Sequence, residues 1–176
     1  MSEARGSAKI SNLTDLFAAA FRIETDAVER YTLMAQQMET HNNLELAEIF
    51  RDLARAEGIH AEEIRRLAGD IDVAGRAQQS RHFGRGESPE EADLGATHYL
   101  MTPWQALQLA LEAEKRALEY FTSIVNKATD PKVKTLAAEL VEEEAEHVNL
   151  VHRLIHRYPP PPDSWQDDMD PPSSQG

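Results

Sequence analysis

The chain has 176 residues, 41% hydrophobic and 28% charged, which suits one soluble domain with a core of its own. Its formal net charge of −13 argues against nucleic acid and anionic membrane surfaces as partners, because both attract clustered Lys and Arg. Cysteine is absent, so disulfides, zinc–thiolate sites and thiol nucleophiles are excluded.

Residues 1–11 are expected to be a flexible N-terminus. The opening MSEARGSAKI lacks the apolar stretch of a signal peptide, and no run approaches the roughly 18 apolar residues of a membrane span. With the missing cysteines, these features lead us to expect a cytoplasmic protein.

The first predicted helix runs from about Asn12 to Thr40, with Leu13, Phe17, Ala20, Ala27, Val28, Tyr31, Met34, Ala35 and Met38 on its apolar stripe. The second begins near Asn42 or Asn43, where Asn42 and Glu45 resemble a capping pair. Ala47, Phe50, Leu53, Ala54, Ala61, Ile64, Leu67 and Ala68 form its stripe, and Gly69 reads as a C-cap.

Residues 69–102 are too long for a turn and read as a crossover, with a short helix expected after Ser88-Pro89. The third long helix opens at Thr102-Pro103, an N-cap followed by proline at the first helical position. Asp130-Pro131 opens the fourth in the same way, and it runs to about Arg157, where prolines stop it. Short connections make helices one and two, and three and four, antiparallel hairpins. The expectation is an all-α, antiparallel four-helix bundle over residues 12–157. Residues 158–176 are proline-rich and acidic and are expected to be disordered.

A glutamate interrupts each stripe. Glu24 lies four after Ala20 and seven before Tyr31; Glu114 lies three after Leu111 and seven before Phe121. Glu57 lies four after Leu53 with His60 three later, and Glu144 lies four after Leu140 with His147 three later. Helical spacing puts these residues on the apolar faces. Glu142, Glu143, Glu146 and Glu112 fall off the stripes and are expected at the surface, as are His41, His82, His98, His152 and His156. Arg22, Arg30, Lys115 and Arg116 are near the glutamates in sequence but off the stripes. Trp104 reads as packing and Trp165 as part of the tail.

Four carboxylates in an apolar interior repel one another, and burying each costs several kcal/mol. Without compensation they take up protons. Two divalent cations match their charge, and neutral imidazoles complete the coordination. A Glu from each of two helices plus Glu-x-x-His from each of the others is a known di-metal arrangement in helical bundles. Chance alone supplies roughly one Glu-x-x-His in such a chain, so the matching phase of all four helices is the stronger signal. The pattern also repeats: Glu, an aromatic seven later, then Glu-x-x-His, which suggests two related hairpins about an approximate two-fold axis.

On these residues the sequence resembles the ferritin-like di-iron superfamily, most closely its rubrerythrin-related branch. The resemblance implies two iron ions per bundle, with manganese an alternative. It implies that Glu24 and His60 are terminal ligands of one ion, Glu114 and His147 of the other, and that Glu57 and Glu144 bridge them. Tyr31 matches a tyrosine that such proteins often keep beside the site. The chain departs from the branch in lacking the cysteines of a rubredoxin-like centre, so electrons must come from a separate donor protein or from Fe²⁺ itself. It also departs at Ala117, where rubrerythrins tend to have a further glutamate.

The function expected is reduction of H₂O₂ or O₂ by a ferrous pair, in peroxide removal or ferrous oxidation. The alternatives are a di-iron monooxygenase acting on a small organic substrate, or a non-enzymatic iron-binding protein. A homodimer is expected because related proteins pair.

Overall fold

The computed structural model describes residues 10–83 and 101–160, with the side chains of 80–83 excepted. All regular structure among them is helical: α1 (Leu13–Thr40), α2 (Leu44–Ala68), α3 (Val73–Phe83), α4 (Pro103–Lys127) and α5 (Pro131–Arg157). The expected flexible N-terminus falls largely outside these residues. So do the helix expected after Ser88-Pro89 and nearly all of the proline-rich tail with Trp165.

The helix ends follow from local chemistry. Asn12 caps α1 by accepting a hydrogen bond from the Asp15 N–H at 2.9 Å. At the other end, the Asn43 N–H donates to the Met38 carbonyl (2.8 Å) and the Asn42 N–H to that of Glu39 (2.9 Å). Asn42 sits at φ 58°, the left-handed position that closes such a turn and that asparagine tolerates better than most residues. Asn43 then starts α2, accepting from the Leu46 N–H at 3.2 Å. The capping pair expected at Asn42 and Glu45 is therefore displaced by one residue. Asn42 is committed to ending α1, and Glu45 forms an exposed ion pair with Arg157 of α5.

Gly69 ends α2 at φ 62°. Thr102 and Gln105 form a reciprocal capping box at the start of α4, with Pro103 in the first turn. Asp130 caps α5 by accepting from the Lys132 N–H at 2.8 Å.

The tightest packing is α1 on α2 and α4 on α5, as the two short turns require. The hairpins meet where α1 touches α4 and α5. The crossover contains a helix the sequence did not announce. α3 begins after Asp72, whose carboxylate accepts from the Gly75 N–H at 2.9 Å. It packs on α1 and buries Val73 and Ala77. Those two residues, four apart, are too sparse a stripe to read as a helix.

The core is divided into two apolar clusters. One gathers Tyr31, Met34, Phe50, Leu53, Leu107 and Leu111, among others, and the second gathers Leu16, Ile23, Ile64, Phe121, Ile124 and Leu140, among others. Each long helix passes from one cluster to the other at its inward-facing glutamate. Leu16 and Ile23 are buried although the expected stripe of α1 omitted them. Leu67, expected on the stripe of α2, is 49% exposed, because Ala61, Ile64 and Ala68 take the inward positions at spacings of three and four. Among the described residues, no helix is long and apolar enough to cross a membrane.

Candidate metal centre

Between the two clusters lies a layer of acids. Glu24 of α1, Glu57 of α2, Glu114 of α4 and Glu144 of α5 are each only 1–2% exposed. His147 of α5 is buried with them, and His60 of α2 is partly covered. All six residues singled out in the sequence converge here. The two imidazoles stack nearly parallel, with ring centroids 5.2 Å apart.

Both histidines turn Nδ1 toward the acids. His147 Nδ1 lies 3.2 Å from Glu57 Oε1, 3.6 Å from Glu114 Oε2 and 3.7 Å from Glu144 Oε2. His60 Nδ1 lies 3.8 Å from Glu57 Oε2 and 3.9 Å from Glu24 Oε2. Glu57 thus offers one oxygen to each histidine. Among the described residues, three triplets of ligand-type atoms fall within 4.8 Å of one another: Glu57–His60–His147, Glu114–Glu144–His147 and Glu24–His60–Glu143.

These approaches are not hydrogen bonds. Glu57 Oε1, Glu144 Oε2, His60 Nδ1 and His147 Nδ1 are buried and hydrogen-bonded to nothing. Such orphaned polar atoms are rare in folded proteins and cost about 1–3 kcal/mol each. Here four of them face one another, and oxygen-rich donors with two imidazoles are the set that suits iron or manganese. The residues present fit a pair of divalent metal ions.

Protonation tells the same story. Burial, with the charges of Glu144 and Glu57, raises the Glu24 carboxyl well above its usual range. Burial and the Glu114 charge raise Glu57 to about 7. Burial likewise raises Glu144 to about 8, against the pull of His147. For Glu114, burial is outweighed by His147, Arg30 and Tyr31, which hold its carboxyl at about 2. Burial lowers His147, but Glu114, Glu144 and Glu57 prevail and push it to about 11. Burial and the neighbouring His147 lower His60. Without cations, this interior holds protons among its acids.

Tyr31 lies beside the site, and its hydroxyl donates to Glu114 Oε1. Arg30 departs from expectation. It is 2% exposed, with Nη2 3.4 Å from Glu114 Oε1 and its guanidinium 4.9 Å from the centre of the Tyr31 ring. Although off the stripe, its long side chain reaches inward because α1 is covered by α2, α3, α4 and α5. Asp26, also buried, pairs with Arg22 at 3.7 Å.

Glu143 departs as well. Expected in solvent, it is half-buried beside Glu24 and His60. Glu112, Glu142, Glu146, His41, His152 and His156 are exposed as expected, and Trp104 is half-buried. His82 and His98 lie outside the described side chains.

The rubrerythrin family matches the chain over residues 15–157. The chain belongs to the rubrerythrin family. As such it is a ferritin-like di-iron carboxylate protein. It is also similar to the crystal structure of an uncharacterized conserved protein from Magnetospirillum magnetotacticum MS-1. The two share 37% sequence identity over 85% of this chain and 97% of the other, with a TM-score of 0.66. No curated protein matches the sequence. Membership accords with the acid layer, since the family's di-iron character calls for buried carboxylates and histidines of this kind.

Proposed function

We propose that this rubrerythrin-family chain is an oxidoreductase in which two iron ions reduce H₂O₂ or O₂. Glu24 and His60 would hold one ion, Glu114 and His147 the other, and Glu57 and Glu144 would be shared between them. The observation that carries this reading is the layer of four buried carboxylates and two imidazoles in which four inward atoms have no hydrogen bond. When bound, the ferrous pair supplies two electrons, enough with two protons to convert one H₂O₂ to two waters.

The chain's own residues set up that chemistry. Glu57 turns one oxygen toward each histidine, the disposition a bridging carboxylate needs. Tyr31 and Arg30 fix the orientation of Glu114 and favour its ionised form. The apolar clusters cover the acids on either side of the layer. In this reading a separate donor protein or Fe²⁺ itself returns the electrons. The assembly in this reading is a homodimer.

The test is anaerobic loading with Fe²⁺ followed by stoichiometric H₂O₂ or air. Oxidation of two ferrous ions per chain, faster than in free solution, is expected. Failure to retain iron, or oxidation no faster than in buffer, refutes the proposal.

A further inference from the structure

Glu143 has no part in the function described so far. It stands next to Glu144 on α5, half-buried, with a carboxylate oxygen in the triplet formed with Glu24 and His60. This triplet is more than a patch of surface acids. Glu24 is fully enclosed, and His60 Nδ1 is buried with no hydrogen bond, so an unsatisfied donor atom points into the same space.

Access leads to the same residue. The side chain of His60 is 24% exposed and Glu143 is half-buried, and both belong to the Glu24 end. Exposed Glu139 and Glu146 lie four before and three after Glu143 on α5, and exposed Glu63 lies three after His60 on α2, so helical spacing makes that end acidic and attractive to cations.

We propose that Glu143 is a seventh metal-ligating residue, serving the ion held by Glu24 and His60 at the end of the centre through which cations arrive. The proposal rests on the di-metal reading above and assigns a role to a residue outside its six ligands.

The experiment is an anaerobic titration of the full chain with Co²⁺, read by visible absorption and elemental analysis. The wild type is compared with Glu143→Gln, Glu143→Ala, Glu142→Gln and His60→Ala, with circular dichroism to verify folding. Two Co²⁺ positions are expected in the wild type. Glu143→Gln and Glu143→Ala should weaken one of them about 10- to 100-fold, the range seen when supporting groups of metal sites are removed. That position should be the one His60→Ala also weakens. Glu142→Gln removes the same charge from the exposed neighbour and should leave both affinities unchanged. If the Glu143 variants keep both wild-type affinities, weaken both positions equally, or match Glu142→Gln, Glu143 is no ligand. A wild-type chain that binds no Co²⁺ pair would instead overturn the di-metal reading, and this proposal with it.

Discussion

The two ends of the acid layer use the same kinds of residue in different surroundings. At one end, Glu114 receives the Tyr31 hydroxyl and the Arg30 guanidinium. At the other, Glu24 lies near half-buried Glu143 and the partly exposed His60. The repeat relating the hairpins breaks here. Phe121 follows Glu114 by seven, as Tyr31 follows Glu24, but carries no hydroxyl, and the residue before it is Tyr120 where Arg30 precedes Tyr31. One end is closed and fixed by donors, while the other is open and richer in negative charge. In the di-metal reading the two positions are therefore unlike, one pre-arranged and one accessible.

The largest effect expected comes from joining the two ends into one. Glu57 faces both histidines, so Glu57→Ala should abolish both metal positions, read by elemental analysis. Metal-loaded wild type at 1,000 times its Kd should gain about 4 kcal/mol over the metal-free protein, visible as a rise in Tm. Glu57→Ala should lose that gain. Retention of two ions would show that the ends are independent.

Next comes pH. The carboxyls of Glu57 and Glu144 sit at about 7 and about 8, above the ordinary 4.5. Between these limits the folded state holds more protons than the unfolded chain, so stability falls as pH rises. Raised His147 acts in the same direction, its contribution complete below 6.5 and lost toward about 11. Lowered Glu114 contributes above 4.5 and loses its share only as pH falls toward about 2. Metal-free protein should therefore lose stability from pH 5 to 8 in denaturant titrations, whereas metal affinity should increase with pH as protons leave the ligands. A flat metal-free profile would mean that the acids ionise freely.

The smallest effect belongs to the closed end alone. Tyr31→Phe removes one donor from a buried carboxylate and should lower metal-free stability by about 1–3 kcal/mol in urea unfolding. It should leave the affinity of the Glu24–His60 position unchanged. A loss confined to that position would reverse the assignment of ends.

Much of this architecture was legible in the residues. Thr102-Pro103 and Asp130-Pro131 marked helix starts because caps and first-turn proline act locally. The inward glutamates showed because charge interrupting an apolar stripe has few physical explanations. Glu143 was hidden by arithmetic: it lies three after Leu140 and four before His147, while Glu144 lies four after Leu140 and three before His147. Both fit the same face, and only the neighbouring helices settle where each points. Arg30 was hidden because a long side chain reaches into a core from a position outside the stripe. Leu67 misled because any apolar residue near the end of a stripe reads as part of it.

The acid layer also acts as a ruler. Sliding one helix by a turn, about 5.4 Å, would thrust its glutamate among Leu, Phe and Met side chains and set hydrocarbon against the remaining acids. Two featureless greasy seams would tolerate that displacement; a charged waist between them does not. The groups that make the interior costly to assemble therefore also leave the four rods a single way to line up.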